Sequence, residues 1–268
     1  MTPHIKRWIT GIVAVPIIFA IIIYGSKMVF AAFVMLLILG AVTEYNSMIF
    51  GKGFYWEKVE GLVIGLLIPL AACLGDIQFE FAIITFLLII VFLSFLFRFK
   101  NGSVDLANLS KVVFGFMYIP LMMSYLIFIR DFERGILWIF FIIVLAFSGD
   151  IAAFYVGKSI GKKKLIPHVS SGKTVEGTIG LVGGSIIGCV IFKLLFLPEV
   201  LFGHAVLLGL VGSILGQLGD LCESTIKRTS GVKDSGFFLP GHGGILDRLD
   251  CLLFIIPFVY YYKVFVIK

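Results

Sequence analysis

Apolar stretches close to 20 residues long recur from one end of this chain to the other, and "ILWIFFIIVLAFSGD" (136–150) is the greater part of one. A helix needs about 20 such residues to cross the hydrocarbon core of a bilayer. Backbone groups in lipid must be satisfied within the chain, and long runs without alternation suit helices rather than barrel strands. Charged residues make up only 14% of the 268 positions, against roughly a quarter in soluble domains. The reading is therefore an all-α integral membrane protein.

Nine spans are predicted, at 8–25, 28–44, 59–75, 79–97, 112–130, 135–154, 174–197, 201–222 and 249–266. Lys6 and Arg7 before the first run resemble the start of a signal peptide. The run ends "AIIIYGSK", without a small-x-small cleavage site, so it reads as a membrane helix. Residues 1–140 are expected to supply scaffold and lipid access, and 141–268 a catalytic region with cytoplasmic loops 155–173 and 223–248. The two together are read as one integrated membrane domain.

Charge gives the orientation. With the N-terminus inside and the spans alternating, 16 of the 22 Lys and Arg residues fall on the inner side, as the positive-inside rule requires. The C-terminus is then outside, and both basic loops face the cytoplasm at the inner membrane. The net charge of +6 is accounted for by anionic headgroups, so no nucleic-acid partner is needed. Cys73, Cys189, Cys222 and Cys251 show neither zinc spacing nor a disulfide framework.

Polar residues gather at the cytoplasmic borders. Asp150 closes the sixth apolar run, Asp220 ends the eighth, and Asp247 and Asp250 open the ninth. Asp220, Glu223, Ser224 and Lys227 follow i, i+3, i+4, i+7 and share a helix face, as do Asp247 and Asp250. Converging carboxylates beside bases suit Mg²⁺ with a polyphosphate. Lys227, Arg228, Lys233 and Arg248 are phosphate-binding cations. Gly236, Gly241, Gly243 and Gly244 would bring backbone N–H groups to phosphate oxygens. Taken singly, each of these is also consistent with a solvated interface or a turn, and His242 in "PGHGG" with a turn histidine bonding backbone. "SSGKT" (170–174) resembles the end of a P-loop, but that pattern needs glycine where Pro167 stands. Lys173 and the helix amides that follow could still face an anion. Glycines at 180, 184 and 188, and at 212 and 216, form small-xxx-small ladders suited to helix packing or to a homodimer contact.

The stretch "STIKRTSGVKDSGFFLPGHGGILDRLD" (224–250) closely resembles the signature of phosphatidate cytidylyltransferases, the CDP-diacylglycerol synthases. Ser224, Lys227, Arg228, Lys233, Asp234, Gly236, Leu239, Pro240, His242, Gly243, Gly244, Asp247, Arg248 and Asp250 match it. Asp150 with "AFYVGKSIGKKKL", then "GKTVEG", also looks like the family. Ser171 departs from it, standing where members commonly carry Pro. The resemblance implies transfer of a cytidylyl group from CTP to phosphatidate, with release of pyrophosphate and dependence on one or two Mg²⁺ ions. It implies Asp220 and Asp247 as metal ligands, with Lys227, Arg228 and Asp250 beside them in the catalytic set. Ser224, Lys233, Asp234, His242, Arg248, Asp150 and Lys173 would then hold CTP or the lipid headgroup. Two other readings stay open at this stage: another lipid phosphate as acceptor, and a cation or lipid transporter. Transporters, however, usually place ionisable groups at the midplane of two repeats.

Overall fold

The computed structural model describes residues 3–51, 53–99, 106–236 and 243–267, with side chains from residue 12 onward. Helix dominates, as expected. Among the described residues seven helices are long and apolar enough to cross a membrane. Ile12–Tyr24 is a shorter apolar helical segment, and α3 (Tyr55–Leu74) opens with Glu57, Lys58 and Glu60. The chain is a multi-pass, all-α membrane protein, apart from one small hairpin. It divides into two compact units, Met1–Asp131 with Asp234–Arg248, and Phe132–Lys233 with Leu249–Lys268.

The first unit contains α1 (Pro3–Tyr24), α2 (Lys27–Phe50), α3, α4 (Ile77–Arg98), α5 (Leu106–Phe116) and α6 (Met122–Arg130). A π-helical turn at Met117–Leu121 joins α5 to α6 around Pro120. Proline has no N–H to give the helix ladder, and a π turn re-registers the carbonyls it would orphan. The joined helix is the central element of the unit: 78% of its apolar window is buried, against 17% for α4, most of whose surface is left uncovered by the chain. α2 packs with Phe30, Val34, Ile38, Ala41 and Tyr45 turned inward, the 3.6-residue stripe of a one-sided helix. The acids that open α3 share one base, since Arg98 pairs with Glu57 at 3.0 Å and Glu60 at 2.9 Å.

The second unit holds α7 (Gly135–Ile160), a hairpin of β1 (Lys164–Ile166) and β2 (Ser170–Thr174), α8 (Val175–Phe196), α9 (Phe202–Thr229) and most of α10 (Leu246–Tyr262). The glycine ladder of α8 is spent inside the chain. A Cβ at Gly180 would come within 2.7 Å of Val156, and one at Gly184 within 2.8 Å of the Ser148 carbonyl. The backbones of α7 and α8 therefore approach as closely as small-residue packing allows.

Two expectations are corrected. The helices outrun the apolar stretches: α2 continues to Phe50, α7 to Ile160 and α9 to Thr229, and α10 begins at Leu246. Lys, Glu and Arg are good helix formers, so a helix need not stop where hydrophobicity does. The segments read as loops 155–173 and 223–248 thus begin as helix, and Asp150 and Asp220 stand well inside α7 and α9. The other correction is the antiparallel hairpin, Lys164 opposite Thr174 and Ile166 opposite Ser170, in a segment read as loop. Strands this short leave no periodicity to detect.

Candidate active site

In the second unit the polar residues of α7, β2 and α9 meet around a cavity of about 320 Å³. Asp150 reaches it from α7, Lys173 from β2, and Gln217 and Asp220 from α9, with Thr174 and Thr178 at the start of α8. Lys173 forms an ion pair with Asp220, whose other carboxylate oxygen accepts the Ser224 hydroxyl at 3.3 Å. Asp150 and Asp250 each lie within the electrostatic reach of both Asp220 and Lys173. Lys227 acts on Asp250 as well, and it pairs with the buried Glu223 one turn back on α9. The predicted helix face of Asp220, Glu223, Ser224 and Lys227 is therefore real: it carries two i, i+4 contacts, one to the Asp220 carboxylate and one from Lys227.

The hairpin sets Lys173 in place. Glu176 accepts the Lys162 amide at 3.1 Å and the Lys163 amide at 3.3 Å, tying the entry of the hairpin to the first turn of α8. Val175 donates to the Lys163 carbonyl at 2.9 Å, and Thr174 caps α8 by accepting the Gly177 amide at 3.1 Å. These two helix amides, expected to be open to an anion, are satisfied internally. Lys173 turns instead toward Asp220. At the far end of α9, Arg228 donates to the backbone carbonyls of Val169 at 3.3 Å and Val232 at 3.0 Å. In this conformation it braces the hairpin turn, and Lys233 nearby is exposed.

The cavity has a polar and an apolar half. Leu145 lies about a turn before Asp150 in α7, Leu181 about a turn beyond Thr178 in α8, and Ile255 about a turn beyond Asp250 in α10; all three line it. A charged head with a hydrocarbon body fits that gradient.

In the first unit the signature segment is organised around carboxylates of the chain itself. Asp247, in the first turn of α10, accepts the Gly244 amide at 2.8 Å and the Ser235 amide at 3.1 Å. Glu44 of α2, 4% exposed, accepts the amides of Ile245 and Leu246, both at 2.9 Å, and the Ser235 hydroxyl at 3.1 Å. Gly236 and Gly244 pack on this carboxylate: a Cβ at either would fall 2.5 Å from a Glu44 oxygen. That departs from the expectation that these glycines open backbone amides to phosphate. Arg248 and Asp234 are exposed. Gly241, His242 and the residues matched at Leu239 and Pro240 lie outside the described residues.

Glu44 was not anticipated. It lies in residues 1–140, expected to supply only scaffold and lipid access, yet an acid in a run as apolar as α2 is itself a signal of function. Gln217 and Thr178, hydrogen-bonded at 2.8 Å on the cavity wall, carry no motif or spacing that marks them in the sequence.

Mg²⁺ is usually held by one or two carboxylates together with substrate phosphates rather than by a complete protein cage. Among the described residues no three acidic, His or Cys side chains form a ready cage. The hard-oxygen donors Asp220, Asp150 and Asp250, gathered around two lysines, fit the shared kind of site.

The chain matches the model of the cytidylyltransferase family over residues 5–266. It is 33% identical over 259 residues to the phosphatidate cytidylyltransferase of Staphylococcus aureus (strain COL), covering 94% of this chain and 95% of that one. To the enzyme of the same name from Synechocystis it is 31% identical, covering 97% and 96%. To that of Bacillus subtilis it is 45% identical over 146 residues, 54% of each chain. With a family match spanning nearly every residue and relatives aligned end to end, this chain belongs to the cytidylyltransferase family.

Proposed function

We propose that this protein transfers the cytidylyl group of CTP to phosphatidate, giving CDP-diacylglycerol and pyrophosphate. The observation that carries the reading is the cavity of the second unit. It joins Asp150, Lys173 and Asp220 to an apolar wall, in a chain whose full-length relatives bear that enzyme name.

The chemistry asks little covalent work of the protein. A phosphatidate oxygen attacks the α-phosphorus of CTP; the new P–O bond forms as the bond to the β-phosphate bridging oxygen breaks, and pyrophosphate leaves with that electron pair. The attacking phosphate is already ionised at neutral pH, so the protein supplies alignment and charge neutralisation rather than a general base. Lys173 and Lys227 offset the charge of headgroup and triphosphate, and Ser224 holds Asp220 in orientation. Asp220 would hold the metal with Asp150 or Asp250 beside it, and the signature resemblance adds Asp247 as its second ligand. Bound Mg²⁺ supplies Lewis-acid neutralisation of the phosphate oxygens. The signature resemblance assigns Asp247, Arg248, Arg228, Lys233, Asp234 and His242 to the same reaction.

The proposed setting is the cytoplasmic membrane, crossed nine times once α1 and α3 are counted with the seven long apolar helices. The N-terminus and the reaction face the cytoplasm, with 16 of the 22 basic residues on that side.

The test is cytidylyl transfer by detergent-purified protein supplied with phosphatidate, labelled CTP and Mg²⁺. Label extractable with lipid, formed one-to-one with pyrophosphate and lost with EDTA, is the expected result. Folded protein that labels only a different lipid phosphate would replace the acceptor, and protein that labels none would overturn the reading.

A further inference from the structure

We propose that Glu44, on a helix far upstream of every motif residue, is a positioning residue for the signature segment, a role that rests on the cytidylyl-transfer reading above. Its carboxylate is an internal anion around which the segment is wrapped. One oxygen takes the Ile245 amide, and the other takes the Leu246 amide and the Ser235 hydroxyl. Ser235 passes the constraint on. Its hydroxyl oxygen accepts the Asp247 amide at 3.3 Å, while its own amide donates to the Asp247 carboxylate. Glu44, Ser235 and Asp247 thus form a closed network that fixes both ends of the 235–247 segment and the start of α10.

Two features argue that this is more than a satisfied buried acid. The amide of Leu246 opens α10 and that of Ile245 directly precedes it, and a helix N-terminus is where an anion gains most from backbone dipoles. The fit is also shaped for a carboxylate, because Gly236 and Gly244 both leave room for it where any Cβ would collide. Two signature glycines are therefore required by a residue about 190 to 200 positions upstream. A buried charge met by three donors is costly to disturb and rigidifies what it holds.

Glu44→Gln is isosteric but leaves a single acceptor oxygen and turns an amide N–H₂ toward a backbone donor. The expected result is a kcat for cytidylyl transfer lowered about 10²-fold, as for a misplaced reacting group, with KM for CTP changed by less than about threefold. Trypsin should cut faster after Lys233 and Arg248 in this variant, with the rest of the digest unchanged. Ser235→Ala, which removes one donor, should lower kcat by about tenfold, and the double variant by less than the product of the two. Wild-type kcat and digestion in both variants would overturn the proposal, as would a loss of activity that merely follows the unfolded fraction without localised cleavage. If the wild-type chain transfers nothing to phosphatidate, the function proposed above fails, and the digestion patterns alone decide the role of Glu44.

Discussion

Asp220 and Asp247 share a side chain and a proposed task, but their surroundings differ. Asp220 faces an ion pair with Lys173 across a cavity, an arrangement a phosphate–metal pair can enter by exchanging partners. Asp220→Asn keeps the bond to Ser224 and removes the charge, so transfer should fall at least about 10²-fold with the thermal midpoint preserved. Asp247 spends its oxygens on the amides of Gly244 and Ser235. Asp247→Asn can accept with only one oxygen; it should abolish measurable turnover in labelled-CTP assays while the protein still inserts and folds. Near-normal activity in that variant would remove Asp247 from the metal-binding set.

Between elements, the tightest demand is the α7–α8 contact that carries Asp150 and the hairpin. A side chain at Gly180 meets Val156 at 2.7 Å, so Gly180→Val forces the helices apart. Overpacking of this kind costs about 1–3 kcal/mol, which should appear as a lower unfolding midpoint in detergent and, because Asp150 and Lys173 are displaced, as lower activity. Gly183, three residues on, has nothing within 4 Å of its missing Cβ. Gly183→Ala should leave both readouts within error, since surface changes of this kind rarely exceed about 0.5 kcal/mol. Equal damage from the two substitutions would contradict the packing of the ladder.

For the molecule in its membrane, the charge asymmetry makes a topological prediction. The basic hairpin and the Arg134–Glu199 pair should lie on opposite faces of the bilayer. With the exposed Cys222 first replaced by Ser, Lys163→Cys should react with an impermeant maleimide only in inverted vesicles, and Glu199→Cys only in right-side-out ones. The reverse pattern would invert the proposed orientation. Metal removal acts at this scale too. EDTA should end transfer without lowering helix content by circular dichroism, because the contacts that hold the helices are apolar side chains and glycines.

The sequence by itself determined the solvent, the helical class and the family. Long apolar runs leave helices as the way to satisfy a backbone in lipid, and the signature from Ser224 to Asp250 is dense enough to name its chemistry. It also placed Asp220, Ser224 and Lys227 on one face, because helical spacing is local. Only the tertiary structure decided the partners: that Lys173 turns to Asp220, that the α8 glycines serve α7, and that Glu44 holds a segment about 190 residues away. Such pairings join positions whose separation along the chain carries no period. They follow from how buried charges find donors once the helices have packed.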